Sequence, residues 1–413
     1  MALIVQKYGG TSVASLDHIR RVAESIAALK QEGNDIAVVV SAMSGQTDQL
    51  LEMAANISAA PDSREQDALV ATGEQVCAAL MAITLNSIGC PARSMLGLQL
   101  PLVTNSVHTK ARILDLQTDK LKQLFSEGIV PVVAGFQGIS EEGNITTLGR
   151  GGSDTTAVAI AAALQADCCE IYTDVDGVYT ADPNICPKAR HLDKISYSEM
   201  LELAGLGAKV LHSRSVELAQ KYAVPLVVKS SFGSAKQTWI VNEEDIMEDS
   251  VIQGVTLERN VSKISLIRVP DRPGIAHRIL SPLADAAINV DMIIQNASID
   301  GMADFTFTIA KTDREKATQL VQEVAAEIGA LEVLAANNIV KVSAVGIGIK
   351  TNPGVAAKMF KSLSSENINI EMISTSEYRI SCIIEEKYGE LAVRAVHQAF
   401  ELEGTPEIAK GES

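Results

Sequence analysis

Thr146-Thr147-Leu148-Gly149-Arg150-Gly151-Gly152-Ser153-Asp154 is the stretch on which the reading of this chain turns. It follows an apolar run, Ile129 to Phe136, and a turn at Glu142-Gly143-Asn144, and it opens into an alanine-rich segment, Thr155 to Ala166, that reads as a helix. Three glycines around one arginine let the backbone approach a ligand closely. Ser153 and Asp154 stand where the first turn of a helix presents free N–H groups and the positive end of its dipole. Two readings follow: an anion-binding turn, or a tight strand-to-helix connection with Ser153 as its N-cap.

Working outward, the same pattern recurs. Leu3 to Gln6 reads as a buried strand ending in Lys7-Tyr8-Gly9-Gly10-Thr11-Ser12, and Leu16, Ile19, Val22, Ile26 and Leu29 then follow a helical period. This glycine turn has neither P-loop spacing nor GxGxxG. Lys7 falls at the C-terminal end of its strand, where ligands collect in parallel α/β sheets. Ile36 to Val40 is a second strand, ending in Ser41-Ala42-Met43-Ser44-Gly45-Gln46-Thr47. A long helical stretch, Arg64 to Ile88, contains Thr72-Gly73-Glu74-Gln75, and a glycine there indicates close packing or a ligand. Cys168 to Thr173 is a strand leading into an acidic loop, Thr173 to Pro183, whose spacing fails the EF-hand pattern and suits a nucleotide- or Mg²⁺-associated loop. After Leu206-Gly207-Ala208-Lys209-Val210-Leu211-His212 comes the strand Pro225 to Lys229. Strands alternating with helices over residues 1–230 predict a mostly parallel sheet covered on both faces.

The chain has 413 residues, room for two or three domains, and is 47% hydrophobic. A net charge of −16 argues against binding to nucleic acid or anionic membranes. Six cysteines without CxxC spacing point to a reduced compartment, and no uninterrupted apolar run reaches membrane-spanning length. The expectation is a cytoplasmic protein.

Asn242 to Asp249 carries five acidic residues and reads as a linker. Beyond it lies a repeat. Pro273-Gly274-Ile275-Ala276 returns as Pro353-Gly354-Val355-Ala356, and Asn289-Val290-Asp291-Met292-Ile293 returns as Asn369-Ile370-Glu371-Met372-Ile373, both after 80 residues. Each copy reads as strand, Pro-Gly turn, helix, strand, then a further strand and helix.

In combination these motifs resemble the aspartate kinase (aspartokinase) branch of the amino-acid kinase family, along the whole chain. The residues that carry the resemblance are Lys7-Tyr8-Gly9-Gly10-Thr11-Ser12, Thr146 to Asp154, Thr173 to Pro183, and the repeats, which are similar to tandem ACT domains. The resemblance implies a three-layer αβα sandwich with a mostly parallel sheet over residues 1–245. ACT domains are then expected at 262–338 and 339–405, with 250–261 pairing with the regulatory region. It also implies ATP-dependent phosphorylation of the L-aspartate side-chain carboxylate to 4-phospho-L-aspartate, the first step toward lysine, threonine and methionine. Lysine and/or threonine would feed back through the ACT domains. Lys7, Asp154 and Lys209 would be catalytic. Lys7, Gly9, Gly10, Thr173, Asp174, Tyr179, Asp182 and Lys209 would hold ATP with Mg²⁺. Ser41, Thr47, Glu74, Arg150, Gly151 and Ser153 would hold aspartate. Gly274, Ile275, Ala276, Asp291, Gln295, Asn369 and Ile370 would hold the effector. The expected assembly is a homo-oligomer, or an α₂β₂ complex with a small subunit started at Met247. Another carboxylate or phosphate kinase of the same fold, such as acetylglutamate or glutamate 5-kinase, a silent amino-acid sensor and an NAD-dependent enzyme are the alternatives. The ACT pair, the presence of Lys7, Asp154 and Lys209, and the missing GxGxxG weigh against them in turn.

Overall fold

The computed structural model describes residues 2–207, 210–246, 251–296 and 300–404. Its two compact units are Met1–Tyr179 with His191–Asp249, and Thr180–Arg190 with Ser250–Ser413.

The first unit is built on an eight-stranded sheet in which Leu3–Tyr8 lies between Asp35–Val40 and Cys168–Thr173, parallel to both. Five residues of Asp35–Val40, Ile36 to Val40, are buried, as a strand covered on both faces requires. Ala92–Met95 and Val130–Ala134 continue the parallel sheet on one side and Leu226–Ser230 on the other; Gln237–Val241 then pairs antiparallel with Leu226–Ser230 and parallel with Lys194–Ser196. Chain order runs away from Leu3–Tyr8 in both directions, so the C-terminal end of that strand is a topological switch point, and Lys7 stands on it. A smaller four-stranded sheet contains the hairpin Gln137–Ser140 and Ile145–Thr147 that leads into the glycine-rich turn.

Local differences from expectation have physical causes. The predicted helix over Arg64–Ile88 is two helices, Ser63–Val70 and Thr72–Ser87, meeting at Ala71. Taken as one stretch, Ser63–Ser87 is long and apolar enough to cross a membrane, contrary to the sequence reading, but half of its most apolar window is buried inside the protein. Gly73 is a packing glycine. A Cβ there would lie 2.8 Å from the Ala42 Cβ, and one on Gly10 would lie 2.9 Å from the Ala42 carbonyl. Ala42, just past the second strand, is thus pinched between two residues that cannot carry side chains. Leu16, counted into the apolar stripe of the first helix, is exposed.

The second unit contains both repeats. Ser262–Pro270, Ile275–Asp285, Val290–Gln295, Met302–Ile309 and Arg314–Ile328 form the first copy; Ile339–Val345, Val355–Ser365, Ile370–Thr375, Arg379–Glu385 and Gly389–Ala399 form the second. Each gives a four-stranded antiparallel sheet. The fourth strand of the first copy is Glu332–Ala336, whereas the second takes Gly254–Glu258, from before the first copy begins. The repeats meet through an apolar cluster holding Met292 and its counterpart Met372, with Val261, Ile339 and Ile383. Reciprocal ion pairs flank it: Lys341 with Asp291, and Lys263 with Glu371.

The expected catalytic span 1–245 is interrupted by Thr180–Arg190. Ala181 and Cys186 lie in the apolar core of the second repeat, the Thr180 carbonyl accepts from Val255 N–H at 2.8 Å, and Thr180 Oγ1 is 2.8 Å from His397 Nε2. Burial of these groups draws the segment into the second unit. Met247 lies outside the described residues.

Gly73→Ala should lower thermal stability. The overlap with Ala42 costs about 1–3 kcal/mol, more than the ~1 kcal/mol that alanine gains over glycine within a helix. A melting temperature at or above that of the parent would show that the Ala42 turn yields freely.

Candidate active site

The switch point opens into a cavity of about 340 Å³, lined by Lys7, Gly10, Ser41, Thr47, Glu74, Arg150, Gly151, Ser153 and Asp154, together with Ala42, Met43, Ser44, Gly45, Asp48, Phe136, Gly149 and Gly152. This is the low end of the range for small-molecule sites. Four separate sequence motifs converge there. Ser44, Asp48 and Phe136 are additions that the sequence reading did not select. Phe136 has a left-handed backbone (φ 69) and packs against Gly152, a feature that periodicity cannot reveal.

Lys7 Nζ lies 2.5 Å from Asp154 Oδ1, both side chains being about nine-tenths buried. Asp154 occupies the first turn of the helix Gly152–Leu164, whose N-cap is Gly151 in the left-handed conformation (φ 70) and has no capping side chain. Ser153 is therefore not the N-cap; it sits inside the first turn, facing Gly135. Gly151 is obligatory for a second reason, since a Cβ there would fall 2.3 Å from the His212 side chain.

Gly9 departs from its expected role. Its N–H is given to the Tyr172 carbonyl at 3.1 Å, tying the turn to the neighbouring strand. That N–H is thereby committed to the sheet.

Glu74, 4% exposed, accepts a hydrogen bond from Ala42 N–H at 3.0 Å through Oε1, while Oε2 has no partner among the described residues. Burial pushes its carboxyl up to about 7, against a smaller opposing effect of backbone hydrogen bonds. A carboxylate in this condition is stabilised by any cation that enters the cavity. Arg150 is exposed, and its guanidinium makes no hydrogen bond or ion pair among the described residues.

On the nucleotide side expected from the acidic loop, Thr173 Oγ1 donates to Asp174 at 3.1 Å. Tyr179 O–H donates to Asp176 at 2.8 Å, and Lys236 Nζ lies 3.3 Å from the Tyr179 oxygen and 5.5 Å from its ring centre. Asp176 and Lys236 were not selected from the sequence. Asp182 belongs to the second unit, where its carboxylate accepts from the backbone and side-chain nitrogens of Asn184 as a turn cap. Lys209 lies outside the described residues.

Among the effector candidates, Gly274 (φ 90) precedes the helix Ile275–Asp285 with no capping side chain, and Ala276 is exposed in its first turn. Gln295 and Asn369 are exposed and Ile370 is half-buried. Asp291, expected to be free for an ammonium group, is instead paired with Lys341 and lies 3.7 Å from Arg379. Its carboxylate is already neutralised by the neighbouring repeat.

Residues 2–230 match the amino acid kinase family, and residues 264–329 and 342–400 each match the ACT domain. An aspartate kinase of Stutzerimonas stutzeri is 54% identical over 404 residues, covering 98% of each chain. The structure of E. coli aspartokinase III in complex with aspartate and ADP, an R-state, superposes with a TM-score of 0.80 at 26% identity over 97% of this chain and 100% of that one. The same enzyme with lysine and aspartate, a T-state, gives 0.74 at 26% identity over 96% and 99%. This chain belongs to the amino-acid kinase family, in the branch of aspartate kinases that carry two ACT domains. Its activity is that of an aspartate kinase, phosphorylating the side-chain carboxylate of L-aspartate with ATP as donor.

If Glu74 holds the substrate ammonium, its protonation below pH 7 removes the attraction. The kcat/KM for aspartate should then rise with pH through about 7 and level off, with the KM for ATP nearly flat. Glu74→Gln should abolish that rise and leave the KM for aspartate high throughout; an unchanged profile would remove Glu74 from substrate binding.

Proposed function

We propose that Arg150 and Glu74 read the two charges on the α-carbon of aspartate while Lys7 and Asp154 serve the transferring phosphoryl group. The observation that carries this reading is the single cavity holding a buried carboxylate with one unpartnered oxygen, an unpaired guanidinium and the Lys7–Asp154 pair. Arg150 takes the α-carboxylate through its planar fork and Glu74 the ammonium. The side-chain carboxylate of aspartate is ionised at neutral pH, so it attacks without a general base, and catalysis reduces to alignment and charge stabilisation. Lys7 offsets charge on the γ-phosphoryl oxygens, Asp154 orients Lys7, and Gly10 N–H donates to phosphate. Ser41, Thr47, Gly151 and Ser153 complete the amino-acid pocket by hydroxyl and backbone contacts. Thr173, Asp174 and Tyr179, supported by Asp176 and Lys236, line the nucleotide side, where the sequence resemblance adds Lys209 as a second cation.

Among the described residues no three His, Cys, Asp or Glu side chains converge as a metal centre. In this reading Mg²⁺ rides on the ATP phosphates and water, supplying charge neutralisation at the phosphates with few protein ligands.

Lysine and/or threonine inhibit through the repeats. The uncapped helix start at Gly274, Ile275 and Ala276 offers N–H groups to an amino-acid carboxylate, with Gln295 and Ile370 on the strands that follow each helix and Asn369 just before the second of them. Asp291 serves as a strut to Lys341 in this reading, leaving the effector ammonium to other groups. Assembly is through the repeats, as a homo-oligomer or with a small subunit begun at Met247. Six free cysteines and the net charge of −16 support a cytoplasmic enzyme acting on small molecules rather than on nucleic acid or a membrane.

Arg150→Lys keeps the charge and loses the fork. The KM for aspartate should rise about tenfold or more, with little change in the KM for ATP, in an assay coupled to ADP release. Equal effects on both substrates would place Arg150 on the nucleotide instead. Substituting Gln295 or Asn369 should relieve inhibition by lysine, threonine or their mixture and leave uninhibited turnover nearly intact. If none of these additions inhibits the parent enzyme at millimolar concentration, the repeats serve assembly alone.

A further inference from the structure

Asp67, on the helix Ser63–Val70, is fully buried and is not among the residues that line the cavity. Its two oxygens accept from Thr109 N–H at 3.1 and 3.0 Å, from Thr147 N–H at 3.1 Å and from Thr147 Oγ1 at 2.5 Å, and His108 Nδ1 lies 2.8 Å away. One carboxylate thus ties the loop at 108–109 to the last residue of the strand Ile145–Thr147, three positions before Arg150. A buried carboxylate with so many donors is costly to keep unless all are satisfied, so the arrangement is tightly specified.

The residues next in line are braced too. Leu148 N–H donates to the Phe136 carbonyl at 2.8 Å, and its own carbonyl accepts from Arg214 at 2.8 Å. A Cβ on Gly149 would lie 3.0 Å from the Thr109 carbonyl, the residue that Asp67 holds, and Gly151 rests on His212. Arg150, flanked by Gly149 and Gly151, is the side chain that this braced turn presents to the cavity. Glu74 follows Asp67 by seven residues on the next helix, so one helical pair carries both the group that faces the substrate ammonium and the group that holds the turn bearing Arg150.

We propose that Asp67 is a positioning residue of the aspartate site: by clamping Thr147 and Thr109 it sets the place of Arg150 opposite Glu74, and so the fit of the amino acid between them. The inference rests on the reading of Arg150 as the α-carboxylate ligand. Asp67→Asn keeps the shape but turns an N–H₂ toward an N–H donor, whereas Thr147→Val removes one hydroxyl donor and Thr147→Ser retains it.

The test is steady-state kinetics on the full-length enzyme, with thermal melts as a control for folding. Asp67→Asn should raise the KM for aspartate about tenfold, with kcat within about threefold and the KM for ATP unchanged. Thr147→Val should show a smaller loss of the same kind, and Thr147→Ser should restore the parent values. In the Arg150→Lys background Asp67→Asn should add little, because both act on one contact. An unchanged KM for aspartate in folded Asp67→Asn, alongside a raised one in Arg150→Lys, would overturn the proposal and leave the Arg150 reading standing. Equal losses for both substrates would also overturn it, marking Asp67 as structural only. An unchanged KM in Arg150→Lys would overturn both. If Asp67→Asn does not fold, Thr147→Val decides alone: unchanged kinetics overturn the proposal, and a loss confined to aspartate supports it.

Discussion

A lysine buried at the end of a central strand needs a counter-charge, and most of the first unit can be read as the means of supplying it. Lys7 is paired in the sheet with Val39 on one side and Ile171 on the other, and neither side chain offers a polar partner. The neutralising carboxylate comes from Asp154, far along the chain, at the start of a helix that lies over the same sheet. For Asp154 to arrive there the helix must begin at once after the turn, which requires the left-handed Gly151 and the close approach to His212. Removing either partner would leave the other charge stranded in low dielectric, a change typically worth several kcal/mol. The pair therefore couples the sheet edge, the glycine turn and the helix start into one arrangement, and the cavity is what remains between them.

Charge is handled differently at the other groups of the site. Glu74 has its desolvation left uncompensated on one oxygen, and its carboxyl sits near neutrality as a result. Asp67 is the opposite case, a carboxylate with every nearby donor turned toward it. Asp291 is intermediate, shared between two repeats by Lys341 and Arg379. Acidic residues that look alike in the sequence thus divide into one open to a substrate, one that holds a loop and one that joins two domains. Surroundings contributed by distant parts of the chain make the difference.

That division marks how far the sequence could be read. The parallel sheet was legible because its strands are continuous apolar runs, and the repeat because Pro273-Gly274 and Pro353-Gly354 recur at a fixed interval. That Lys7, Glu74, Arg150 and Asp154 line one cavity was legible through a strand end, a glycine inside a helical pattern and the glycine-rich turn. What escaped depends on pairing across the fold. Asp67 and Arg214 sit in ordinary helical patterns, and nothing local shows that they reach Thr147 and Leu148. The fate of the Gly9 N–H is decided by the Tyr172 carbonyl on a strand more than 160 residues away. The strand Gly254–Glu258 was expected only as a segment pairing somewhere in the regulatory region; its partner, Ile339–Val345, belongs to the second copy and is skipped over by the whole of the first.

The excursion of Thr180–Arg190 bears on how this protein could be divided. A polypeptide begun at Met247 would contain both repeats yet lack eleven residues of their packing. It would leave the Val255 N–H and the His397 ring without their Thr180 partners, and it would open the core where Ala181 and Cys186 belong. It would carry a vacancy where Thr180–Arg190 packs, and the full-length chain contains the peptide that fills it.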